Sequence, residues 1–125
     1  MASPSSEDAL QIRVWNQSRA TELAARATLA DDSRTRRTGL LKHARLEPGQ
    51  GLWITPCEAV HTFWMKFAID VVFLDRRKRV RKVRAAVPPW RISACLTAHS
   101  VLELPAGTAA TTGTQPGDQL VFEPL

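Results

Sequence analysis

Apolar and polar positions alternate along much of the chain. Leu10, Ile12 and Val14 alternate with Gln11, Arg13 and Trp15, which predicts a half-buried strand, and Asn16, Gln17 and Ser18 supply the turn after it. A second strand is predicted over 22–29, weakened by its alanines. The strongest pattern begins at Phe67. Phe67, Ile69, Val71 and Phe73 share one face, while Ala68, Asp70, Val72 and Leu74 share the other. Both faces are apolar except at Asp70, which predicts a central strand covered on both sides. A carboxylate in that position must be met by donors or face a cleft.

Residues 75–79 turn the chain into a further strand over 80–87. Val80 and Val83 stand three apart there, which breaks the period of two and predicts a bulge before Pro88 and Pro89 end the strand. Short strands are predicted over 51–55, closed by Pro56, over 101–104 and over 120–122. Asp31 and Asp32 offer an N-cap for a helix over 33–44, with Arg36, Arg37, Leu40, Leu41 and Ala44 along one side. Gly39 costs that helix about 1 kcal/mol relative to Ala, and Pro48 and Gly49 end it. One or two helical turns over 106–112 stop at Gly113, and Pro116-Gly117 marks a type II turn. Six or seven short strands with one or two short helices make a β-dominated α+β fold, a mostly antiparallel sandwich or open barrel. Residues 1–9 read as a flexible N-terminal arm, and residues 10–125 as a single domain.

Composition sharpens this reading at two points. With 44% apolar and 23% charged residues in 125, the chain has the makeup of one globular core, not of a disordered segment. The net charge of +5 is local. Residues 76–84 hold seven basic side chains and no acidic one, which leaves ten basic against twelve acidic elsewhere. No apolar run reaches the length of a membrane span, and the polar start has no signal-peptide pattern, so a cytoplasmic protein without a membrane partner is expected. Cys57 and Cys95 form no CxxC pair and lack zinc-ligand spacing, so free thiols and no metal or other cofactor are expected.

Several segments stand in a telling order. They are Arg37-Thr-Gly39-Leu-Leu, Gly51-Leu-Trp-Ile-Thr-Pro-Cys57, His61-Thr-Phe-Trp-Met-Lys66, Ile69-Asp-Val-Val-Phe-Leu-Asp75, Val101-Leu-Glu-Leu-Pro-Ala-Gly107 and Pro116-Gly-Asp118. Together they resemble the domain-of-unknown-function family 192 (DUF192), small prokaryotic proteins, over about residues 10–123. The resemblance implies a β-rich, jelly-roll-like fold and no known reaction. The family often has an Asp-Gly turn after its central strand. Here Arg77 and Lys78 stand at that place, and neither suits the two positive φ angles of a tight type I′ hairpin.

Three functional readings follow. In the first, the His61–Asp70 stretch builds a polar and aromatic site in a non-enzymatic binding module. Strand alternation from 64 onward places Trp64, Lys66 and Asp70 on one side, an aromatic platform with a cation and a carboxylate for a small polar ligand or a protein segment. His61, Thr62 and Trp90 join that site, as do Arg37 and Glu103, which also suit each other as an ion pair. The bland counterpart is a structural Lys66–Asp70 pair with Trp64 in the core. In the second reading, Arg76, Arg77, Lys78, Arg79, Arg81, Lys82 and Arg84 form a basic hairpin that binds nucleic acid or another polyanion. The run has no aromatic side chain for stacking and no Asn or Gln for base readout, and a solvated edge that discourages aggregation accounts for it better. In the third, Cys57 and His61 act as nucleophile and base of a hydrolase or transferase, with Asp70, His99 or Glu103 as the orienting group.

Overall fold

The alternating runs fold as strands because each has an apolar face to bury and a turn former to end it. The computed structural model describes residues 10–30 and 46–125. The N-terminal arm expected over 1–9, and the helix expected over 33–44 with Arg37 on it, lie outside the described residues. In chain order the elements are β1 (Gln11–Asn16), β2 (Thr21–Ala30), β3 (Gln50–Ile54), β4 (Ala59–His61), β5 (Ile69–Leu74), β6 (Val80–Val87), β7 (Ile92–Ala94), β8 (Ser100–Pro105), α1 (Thr108–Thr112) and β9 (Leu120–Pro124). Seven strands form one sheet in the order β6-β5-β8-β3-β2-β1-β9, and β4 pairs with β7 as a separate ribbon. The large sheet is antiparallel except where β2 runs parallel to β3. It curls into a half-barrel, and a bridge between Arg79 and Gln119 joins its two edges at one end.

The predicted central strand is β5, and every one of its six residues is buried. Its two faces feed two cores. Val72 and Leu74 pack inside the curl with Ile12, Val14, Leu23, Leu102, Leu104 and Leu120. Ile69, Val71 and Phe73 pack on the outer face with Leu52, Ile54 and Val101, where Cys57, Val60, Phe67 and Cys95 cover them. The β4–β7 ribbon is thus the lid of the second core. Phe73 is fully buried there, and burial of such a ring contributes about 2–3 kcal/mol.

Local chemistry explains the connections. The bulge expected in β6 is present: Phe73 pairs with Lys82 and Leu74 with Val80, so Arg81 is the extra residue. The β5–β6 turn has no glycine. Lys78 takes its left-handed conformation at φ 66°, and the Asp75 carboxylate braces it by accepting the N–H groups of Arg77 (2.8 Å) and Arg79 (3.0 Å). Gly117 supplies φ 94° for the turn before β9. Gly51 has a different purpose: an added Cβ would stand 3.2 Å from the Glu103 carbonyl oxygen and 3.2 Å from a Leu104 methyl. Its bareness lets β3 lie close to β8 in the middle of the sheet.

Candidate functional site

Thr62 organises the signature region. Pro88 and Pro89 carry no N–H, so the loop after β6 cannot continue a strand ladder and must find other partners. Thr62, which is buried, provides them. Its hydroxyl donates to the Pro88 carbonyl at 2.6 Å and accepts the Arg91 N–H at 2.9 Å. Its own N–H donates to the Arg91 carbonyl at 2.8 Å, and its carbonyl accepts the N–H groups of Trp90 (3.1 Å) and Met65 (3.2 Å). These bonds clip the turn after β4 to the turn before β7. The ribbon continues the clip, pairing His61 with Ile92.

The clip holds two tryptophans outward. Trp64 and Trp90 both have φ 69°, a conformation that costs a residue with a side chain roughly 1–2 kcal/mol. Trp64 is 69% exposed and Trp90 53%. Their rings meet edge to face at 4.6 Å, Phe63 stacks on Trp90 at 5.7 Å, and His61 lies against Phe63 at 4.9 Å. Ile92, beside His61 in register, extends the surface, and Arg91, whose guanidinium donates to the Pro89 and Trp90 carbonyls, borders it. Lys66 is exposed two residues after Trp64. The result is a continuous aromatic face with the Arg91 cation at its margin.

Asp70 does not belong to this face. The expected alternation ran through Trp64, Lys66 and Asp70, but β5 begins only at Ile69 and the chain turns through 62–68, so the three side chains part. Asp70 points into the half-barrel. Its carboxylate accepts the N–H groups of Ala86 (2.8 Å), Gly107 (3.3 Å) and Ala109 (2.8 Å). It thereby caps the first turn of α1 from a different strand. Lys66 is exposed and makes no ion pair with it, so the structural Lys66–Asp70 pair is absent as well, and Trp64 is not a core residue.

Glu103 is also buried, but on the outer face of the sheet. It sits between Leu52 of β3 and Val71 of β5 in register. No side-chain hydrogen bond or ion pair reaches it among the described residues, and burial pushes its carboxyl up to about 7. Cys57 and His61 are engaged separately. The thiol donates to the Ala59 carbonyl at 3.1 Å, and Nδ1 of His61 accepts the Phe63 N–H at 3.2 Å. No hydrogen bond joins the two. His99 meets Cys57 only through its backbone, whose carbonyl accepts the Cys57 N–H at 2.8 Å. No group of three His, Cys, Asp or Glu side chains among the described residues is arranged to hold a metal.

The basic run is not uniformly solvated. Lys78 folds inward, its Nζ 4.9 Å from the Trp53 ring centroid and 5.6 Å from that of Phe122. Lys82 donates to the Ala94 carbonyl at 2.7 Å, and Arg81 to the Thr97 hydroxyl at 3.3 Å. Arg76, Arg77, Arg79 and Arg84 are exposed, without such contacts among the described residues. Sequence reasoning passed over Phe63 and Ile92 on the aromatic face. Adjacent aromatics at 63–64, followed by a Trp just after two prolines, were the available signal.

Comparison with known proteins agrees with this architecture. The sequence profile of the family described as "Uncharacterized ACR" (DUF192) matches residues 14–122. A UPF0127 protein of Pyrococcus abyssi is 31% identical over 114 residues, covering 86% of this chain and 94% of the relative. A solved structure from Sinorhizobium meliloti, described as a candidate transcription regulator, superposes with a TM-score of 0.78 at 25% identity, covering 90% of this chain and 92% of its own. A protein of unknown function from Novosphingobium aromaticivorans gives a TM-score of 0.74 at 24% identity, over 89% of this chain and 83% of that one.

Proposed function

The chain belongs to the DUF192 family, and from that premise we propose that it works as a binding module whose contact surface is the aromatic face of the clip. One observation carries the reading. Two tryptophans are kept more than half exposed on left-handed backbone, whereas folding alone favours burying such rings and relaxing such strain. The platform suits a small polar ligand with a flat apolar face, or a protein segment that carries one. Phe63, Trp64 and Trp90 would supply stacking, and Lys66 and Arg91 positive charge. Asp70 serves this surface only through the fold. Arg37 and Glu103 have no assigned part in it.

The indole N–H signals of the four tryptophans give a direct test. A panel of saccharides, zwitterionic amino acids and short peptides is titrated against isotope-labelled protein. We expect at least one member to move the Trp64 and Trp90 signals saturably while that of Trp15 holds still, and to lose its effect in the Trp64→Ala, Trp90→Ala double variant. A panel that moves neither signal, or undiminished binding by the double variant, would sink the reading.

The exposed Arg76, Arg77 and Arg79 at one hairpin tip support a second reading, contact with nucleic acid. The description of the Sinorhizobium relative as a candidate regulator suits it. Filter binding at two salt concentrations tests it, and no retention at low salt rejects it. It is the weaker reading, because Lys78, Arg81 and Lys82 are drawn onto the protein itself.

A further inference from the structure

At the end of β5 away from the clip, the mouth of the half-barrel is the place where β3, β8 and the β5–β6 turn meet Phe122 of β9. Trp53 and Leu102 are register partners across β3 and β8, and Ser100, two residues before Leu102, faces the same interior. That diagonal relation puts the Cα atoms of Trp53 and Ser100 about 7–8 Å apart. Both side chains present an orphan: Trp53 Nε1 and Ser100 Oγ are buried without a hydrogen-bond partner among the described residues, and Ser100 is only 1% exposed. An unmet buried polar group costs roughly 1–3 kcal/mol, so two on one wall call for an explanation.

The third group is Lys78. Its ammonium lies over the rings of both Trp53 and Phe122 and takes part in no hydrogen bond or ion pair among the described residues. The turn that carries it is held rigidly. Asp75 braces it from within, the Leu120 N–H donates to the Lys78 carbonyl at 3.0 Å, and the Gln119 amide donates to the Arg77 carbonyl at 2.7 Å. Trp53 and Phe122 meet edge to face at 4.6 Å and form an aromatic wall, with Leu29 beside Trp53 in register. An indole N–H, a hydroxyl and an ammonium can all donate, and no carboxylate of the described residues engages any of them.

We propose that this mouth is a second binding site, separate from the clip, for a small carboxylate with an apolar body. Three donors match the two oxygens of one carboxylate, and the ammonium neutralises its charge. The Trp53 and Phe122 rings accept the body when the Lys78 chain lifts from them. Lifting gives up a cation–π contact, and the new ion pair and the satisfied indole N–H offset that loss. Small ligands favour the mouths of β-barrels because a concave apolar wall there meets a few fixed polar groups.

Naphthoate is a suitable probe, and naphthalene methanol is its uncharged match. In isotope-labelled protein, with the four indole signals assigned by single Trp→Phe variants, naphthoate is expected to shift the Trp53 N–H downfield saturably. The alcohol should bind more weakly by about tenfold or more, and Lys78→Met should weaken naphthoate binding by a similar factor. Methionine keeps an unbranched chain at that backbone position, and an unmoved Trp15 signal confirms that the variant is folded. A Trp53 signal that stays still at millimolar naphthoate overturns the proposal. So does equal binding of the alcohol, an unchanged affinity in Lys78→Met, or movement of the Trp64 and Trp90 signals alone. That last outcome would credit the clip and leave its own reading standing.

Discussion

Asp70 and Glu103 are two buried carboxyls on adjacent strands, one register step apart, with Asp70 opposite Leu104 and Glu103 opposite Val71. They point to opposite faces of one sheet and meet opposite fates. Asp70 reaches the inside of the curl, where the end of β6, the glycine before α1 and the first turn of α1 aim three N–H groups at it. Glu103 reaches the outer core and meets aliphatic neighbours, Leu52 and Val71. Burial by itself therefore does not decide whether a carboxyl costs or stabilises. The supply of donors does.

Removing the satisfied member should have the largest effect. Asp70→Ala strands three buried or half-buried N–H groups, and we expect a loss of about 4 kcal/mol in urea unfolding. Asp70→Asn should recover part of it, since one amide oxygen still accepts. A loss under about 1 kcal/mol in Asp70→Ala would mean that water replaces the carboxylate, and the contrast with Glu103 would collapse.

Glu103 should show itself through pH. Its carboxyl titrates near 4.5 when unfolded and near 7 when folded. Between those values the folded chain holds a proton that the unfolded chain has released, so stability falls as pH rises from one to the other and is level above. The total is on the order of 3 kcal/mol. Glu103→Gln should flatten that slope, equal the wild type below the window and exceed it above. Urea midpoints on either side of neutrality measure this, and parallel pH profiles for the two proteins would refute it.

Asp118 is the intermediate case. Burial would raise its carboxyl, but hydrogen bonds from Arg19, Asn16 and the Gln115 N–H outweigh burial and hold it below the usual carboxylate range. Its contribution is present at neutral pH and is lost as pH falls through that lowered value. Asp118→Ala should cost about 2 kcal/mol by urea unfolding at neutral pH, with a smaller difference from wild type in strong acid. Smallest of all is the exposed pair of Arg13 and Glu22, at 2.6 Å. Glu22→Gln should leave the melting temperature unchanged within error, because solvent and salt already screen both partners.

The same contrast explains what could be read from the sequence. Period-two alternation identified β5, its two covered faces and the lone polar residue, and Gly113 and Gly117 marked their turns as expected. What polar groups do in the fold was largely hidden. The partners of Asp70 are backbone amides at 86, 107 and 109. Every residue but proline carries such an amide, so no residue type announces them. The ribbon was missed because Ala-Val-His and Ile-Ser-Ala are too short to show a period. The outward Trp64 was misread as part of a strand because positive φ at a non-glycine residue has no sequence signature.

The place of β1 between β2 and β9 has a consequence for the order of assembly. As the chain leaves the ribosome, β1 and β2 can pair at once. The other side of β1 must then wait through about a hundred residues for β9, the final strand in chain order. Until then the nascent hairpin shows an open row of backbone donors and acceptors to its neighbours in the cell, which makes it a site where chaperones or misfolded partners compete with the strand that belongs there.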